Sequence, residues 1–127
     1  MRNILTLIII ALSVSVFAQK PEITFEKKGQ VFKNIQEGET LEFYYKFTNT
    51  GDADFKINGV HPTCGCTVAE WPKYAIKPGQ SDSIKVTFNT EGRPGYNAKG
   101  VNIHSNAGEI NLVFEAYVTS KDGKVPE

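Results

Sequence analysis

From Lys20 onward, apolar and polar residues alternate along the chain with a period of two. Leu41, Phe43, Tyr45 and Phe47 are interleaved with Glu42, Tyr44, Lys46 and Thr48. Ile84, Val86 and Phe88 are interleaved with Lys85, Thr87 and Asn89. The longest such set is Ile110, Leu112, Phe114, Ala116 and Val118. Successive side chains of a strand point to opposite faces, so this period sets one face against a core and leaves the other in water. Shorter strands are predicted over 23–27, 55–60, 67–70 and 98–104. No window places apolar residues at i, i+3, i+4 and i+7 over three turns, so no substantial helix is expected. Phe43, Phe47, Ile57, Val86, Phe88, Leu112 and Phe114 are the predicted inward residues.

Turn residues separate these runs. Asn49-Thr50-Gly51-Asp52 reverses the chain, with Gly51 expected to supply a positive φ. Pro78-Gly79 fits a type II turn, proline presetting the first central φ and glycine taking the second. Gly92-Arg93-Pro94-Gly95 reads as a longer loop, and Ser105-Asn106-Ala107-Gly108 as a hairpin closing the last two strands. The pattern is all-β: about seven or eight short strands in an immunoglobulin-like sandwich, with a small barrel as the alternative. It is not antibody-type, because Cys64 and Cys66 lie too close in sequence to staple one sheet to the other.

The N-terminus has a different character. Met1-Arg2-Asn3 carries one positive charge, the stretch from Ile4 is almost wholly apolar, and Val16-Phe17-Ala18 places small residues at a cleavage site. This is the layout of a secretory signal peptide over residues 1–18, cut between Ala18 and Gln19, with the sandwich domain over 19–127. A retained anchor is the competing reading, but the apolar run falls short of the roughly 20 residues a span needs. No lipid anchor is indicated, since the first cysteine is Cys64.

Composition adds limits rather than a function. Lys+Arg and Asp+Glu both number 14, so the chain has no net charge to attract nucleic acid. Losing Arg2 with the signal leaves one more acid than base. Met1 is the single methionine, so no thioether survives cleavage.

The ordered set Phe47-Thr48-Asn49-Thr50-Gly51, Phe55-Lys56-Ile57, Thr63-Cys64-Gly65-Cys66-Thr67, Ile76-Lys77-Pro78-Gly79, Ile84-Lys85-Val86-Thr87-Phe88 and Val101-Asn102-Ile103-His104-Ser105-Asn106 resembles the bacterial exported family DUF1573. That family is similar to the immunoglobulin-like ASH/MSP/hydin adaptor domains. The resemblance covers about Ile23 to Val118. The most specific part is Cys-Gly-Cys-Thr followed by Ile-x-Pro-Gly. Ala116 departs from it, since the family tends to carry glycine there. The resemblance implies the fold and an envelope location, and no activity.

The pointed chemistry is Cys64-Gly65-Cys66. In an oxidising compartment the pair could form a disulfide, if the chain folds sharply at Gly65, and such a small ring would be easily reduced. As thiolates they could bind Cu(I), with His61 as a third ligand. As small buried groups they could simply pack at a turn. Structural zinc is not expected, because the two Cys and two His lack zinc-site spacing. His104 is predicted on a solvent-facing strand position, and Asp52 and Asp54 in a solvated loop. Trp71-Pro72-Lys73-Tyr74 is a loop that either binds or caps the open end of the sandwich. The motifs G-x-S-x-G, H-E-x-x-H, G-x-G-x-x-G and the P-loop do not occur. The sequence therefore predicts a non-enzymatic binding or scaffolding module of the bacterial envelope, periplasmic or secreted. Its expected partner is an unidentified envelope protein, with no cofactor, no nucleic acid and no membrane span after cleavage. A thiol redox or Cu(I)-handling protein is the alternative.

Overall fold

The computed structural model describes residues 19–123, and the signal peptide expected over Met1–Ala18 lies outside them. Eight strands follow in order: β1 (Ile23–Phe25), β2 (Gly29–Gln36), β3 (Thr40–Asn49), β4 (Ile57–Pro62), β5 (Thr67–Glu70), β6 (Ser81–Asn89), β7 (Gly95–Ser105) and β8 (Gly108–Thr119). They form two four-stranded sheets, β1-β3-β6-β5 and β2-β8-β7-β4. The pairs are antiparallel except β2–β8, which is parallel. The architecture is thus an all-β sandwich, and no helix among the described residues is long and apolar enough to cross a membrane.

The period-two sets face inward. Phe43, Phe47, Ile57, Val86, Phe88, Leu112 and Phe114 are all buried, as their alternation predicts. Phe114 of one sheet meets Phe43 and Phe88 of the other edge-on, with ring centres 5.0 and 5.3 Å apart. That geometry suits the positive edge and negative face of aromatic rings. Tyr45 crosses the same core. Its ring is buried and its hydroxyl donates to the Val113 carbonyl oxygen at 2.5 Å, tying β3 to β8. Burial raises the phenol's pKa well above its ordinary value, because the charged form would lose its hydration.

Two buried polar residues organise the chain between strands. Asn49 donates to the carbonyls of Ala53 and Ile76, each at 2.9 Å, and accepts the Gly51 N–H at 3.0 Å. Thr90 accepts the Gly38 N–H at 3.0 Å and donates to the Glu39 carbonyl at 2.5 Å, fixing the β2–β3 turn to the end of β6. These bonds give the buried Asn49 amide and Thr90 hydroxyl their partners.

Several expectations change in detail. β2 was not foreseen, and Phe55 forms only an isolated bridge with Ile76 ahead of β4. Pro78-Gly79 makes the expected turn: Gly79 has φ +83° and the Gln80 N–H donates to the Lys77 carbonyl at 3.0 Å. Gly51 does not adopt a positive φ. Glycine is needed there because a Cβ would lie 2.3 Å from the Lys20 carbonyl oxygen and 2.4 Å from the Glu22 nitrogen.

Candidate functional site

Cys64 and Cys66 sit where the chain passes from one sheet to the other. β4 ends at one edge of its sheet, and β5 begins at the corresponding edge of the opposite sheet. Thr63 anchors the start of the crossover: its N–H donates to the Gly100 carbonyl at 2.9 Å, and its hydroxyl oxygen accepts the Gly100 N–H at 3.0 Å. At the far end the Asn89 N–H donates to the Cys66 carbonyl at 3.0 Å. Between these anchors the two cysteines form a disulfide with Cα atoms 5.2 Å apart, inside the usual range. Cys66 is part of the core, and the half-buried Cys64 packs against it. In this oxidised form neither sulfur is a free thiol, so neither is a thiolate ligand. Gly65 does not use glycine's conformational freedom: its φ is not positive, and a Cβ there would meet open space.

His61 is exposed on the outer face of β4, and its ring neighbour is His104 on β7, with centres 5.0 Å apart. His104 is half-buried and lies 3.1 Å from the Glu109 carboxylate through Nδ1. No group of three or more His, Cys, Asp or Glu suited to a metal occurs among the described residues. Of the three residues named from sequence as a metal or redox set, Cys64 and Cys66 form the disulfide and His61 has His104 as its ring neighbour. Asp52 accepts the Lys20 backbone N–H at 2.7 Å, while Asp54 is exposed. Trp71 packs on the core, and Tyr74 stays on the surface with its hydroxyl bonded to Asp82.

A second feature lies on the outer face of the β2-β8-β7 sheet. Val31, Val113, Tyr96 and Tyr117 are 54%, 53%, 56% and 43% exposed, against a core whose members are nearly inaccessible. The registers set them side by side: Val113 is opposite Gly29 and Gly100, Val31 is opposite Glu115, and Tyr96 is opposite Tyr117. The tyrosine rings are 5.1 Å apart, and the Lys33 ammonium lies 5.7 Å from the centre of the Tyr117 ring. The Tyr96 hydroxyl donates to Glu115 at 2.5 Å, and this bond raises the phenol's pKa. The sequence pattern passed over this face because Val31 belongs to β2 and because β7 begins at Gly95, ahead of the expected start. Apolar residues at outward positions, such as Val113 and Tyr117 on either side of Glu115, were the signal available.

The model for the family described as protein of unknown function (DUF1573) matches residues 23–118. The chain belongs to that family. Among curated proteins none matches this DUF1573 chain. Solved structures with a similar fold include a PapD-like domain and a chaperone. A protein of unknown function from Porphyromonas gingivalis W83 superposes with a TM-score of 0.65 at 18% identity, over 84% of this chain and 51% of that one. The chain thus spans about half the length of that protein. The ASH/PapD-like domain 7 of human CEP192 gives 0.63 at 13% identity, over 77% and 85% of the two chains. The YadV chaperone gives 0.56 at 11% identity, over 76% and 51%. At these identities the likeness concerns the fold.

Proposed function

We propose that this DUF1573 domain is an exported, non-enzymatic binding or scaffolding module of the bacterial envelope, and that it recognises a protein partner. The observation that carries the reading is the apolar outer face of β2-β8-β7, where Val31, Val113, Tyr96 and Tyr117 lie together in water. Contiguous exposed apolar surface marks interaction sites, and tyrosine is enriched at them. The names of two neighbours, an ASH/PapD-like domain and a chaperone, support binding rather than catalysis. Export is supported by the layout of residues 1–18 and by the Cys64–Cys66 disulfide, a bond that persists in oxidising compartments.

A photocrosslinking residue at Tyr96, compared with one at Tyr44 on the outer face of the other sheet, tests the binding role in the native envelope. A discrete adduct from position 96 and none from 44 is expected. No adduct from 96, or the same products from both, would sink the reading. Intact mass of the native protein tests export, with Gln19 expected as the first residue. A mass that retains Met1–Ala18 would overturn cleavage.

A thiol redox role is the second reading, favoured by the disulfide's half-exposed position on the sheet crossover. Replacing Cys64 and Cys66 by serine separates the two. A binding module keeps partner capture with some loss of stability, whereas a redox protein keeps its fold and loses activity.

A further inference from the structure

We propose that His61 and His104 form a two-imidazole chelate for a divalent transition ion such as Cu²⁺ or Zn²⁺. These are the protein's two histidines, 43 positions apart in sequence and brought into ring contact by the β4–β7 pairing. Val60 and Ile103 are buried, so their strand neighbours His61 and His104 face outward on the same side of the sheet. Gly59 is directly opposite His104, and its missing side chain leaves room there. The His61 Nε2 atom lies 3.5 Å from where a Gly59 Cβ would stand, so the ring leans over that gap.

The spacing suits a shared ion. A metal about 2.0–2.1 Å from a ring nitrogen sits roughly 3.2 Å from the ring centre, so two rings sharing it at a square or tetrahedral angle have centres about 4.5–5.2 Å apart. The observed separation is 5.0 Å.

Protonation suits it as well. Glu109 is opposite His104 in the β7–β8 register, and its Oε1 lies 3.1 Å from His104 Nδ1. An ionised carboxylate only accepts hydrogen bonds, so its approach favours the tautomer with the hydrogen on Nδ1. In the neutral ring the lone pair is then on Nε2. A carboxylate that fixes the ring and its tautomer in this way is the usual outer partner of a metal-binding histidine. Water supplies the remaining coordination positions, as the exposure of both rings permits. Imidazole donors suit copper and zinc, and copper binds the more tightly of the two. The two histidines are distinct residues from the disulfide pair and from Val31, Val113, Tyr96 and Tyr117 of the apolar patch.

The test is titration of the oxidised protein, purified without a histidine tag, with Cu²⁺ and Zn²⁺. The wild type is expected to bind one ion per chain, copper more tightly than zinc. Glu109→Gln should weaken copper binding about tenfold, the low end for an outer-sphere partner. His61→Ala and His104→Ala should each weaken it further. The Cys64→Ser, Cys66→Ser protein should bind as the wild type does. Electron paramagnetic resonance of the copper form should show couplings from two imidazoles in the wild type and one in each single variant. The double histidine variant sets the background from the rest of the chain. Wild-type affinity in either single variant, or binding by the wild type no tighter than that background, overturns the chelate. An unchanged affinity in Glu109→Gln overturns the role given to Glu109. Both rings are on the surface, so melting temperatures near wild type should confirm that the variants remain folded.

Discussion

Replacing Tyr45 with Phe removes one oxygen from the middle of the sandwich and leaves the ring in place. The hydroxyl donates to the Val113 carbonyl at 2.5 Å, on a side chain only 1% exposed. A neutral hydrogen bond contributes about 0.5–1.5 kcal/mol net, and leaving the part-buried acceptor without this donor raises the cost toward about 1–3 kcal/mol. For a domain of this size the melting temperature should fall by about 4 °C or more per kcal/mol. Urea denaturation of the oxidised protein at neutral pH measures the loss directly. The alkaline range provides a second reading. The unfolded tyrosine titrates near its ordinary value of 10.0, whereas burial raises the folded group's pKa. The folded state therefore keeps a proton that the unfolded chain releases, so the contribution of Tyr45 is whole below about pH 10 and is lost as pH rises beyond it. The decline is up to about 1.4 kcal/mol per pH unit, and Tyr45→Phe lacks it. The stability gap between wild type and variant should stay constant to about pH 9.5 and then shrink. A gap below about 0.3 kcal/mol at neutral pH, or one that widens above pH 10, would refute the buried cross-sheet bond.

Phe88 is fully buried against Phe114, and Phe88→Ala should cost about 3–5 kcal/mol in denaturant unfolding; a melting point within a degree or two of wild type would contradict the register of β6. Thr90→Val keeps the shape but leaves the Gly38 N–H without its partner and the Glu39 carbonyl with the Thr90 backbone N–H alone, so a loss of about 1–3 kcal/mol is expected by the same assay. Gly51→Ala should cost about 1–3 kcal/mol because its Cβ meets backbone atoms, while Gly65→Ala in the cysteine loop should stay within about 0.5 kcal/mol. Equal thermal shifts for these two glycine variants would contradict the close approach at Gly51.

The strands that a plain alternation describes, β3, β6 and β8, were legible because each buries one face and wets the other. β2 was not. Phe32 and Ile35 both pack toward the core, yet they are three residues apart, because the register shifts between them and Asn34 takes φ +59°. A bulge of this kind removes the period that a sequence reading relies on. The Cys-Gly-Cys spacing marked the crossover loop but left the state of the sulfurs open, since bond formation depends on how sharply the chain bends. The His61–His104 contact had no local signal, because it exists only through the pairing of β4 with β7. Gly51 was placed in the right turn for the wrong reason: crowding by residues 20–22 is a long-range fact, whereas positive φ is a local one.

The parallel pair β2–β8 joins one of the first segments of the sandwich to the last. During synthesis Gly29–Gln36 is made early, yet its sole strand partner is Gly108–Thr119. β7 likewise has only β4 beside it until β8 emerges. The second sheet can therefore close only when the chain is nearly complete, and pairings this distant in sequence form slowly. One layer of the sandwich thus stays open until its final strand arrives.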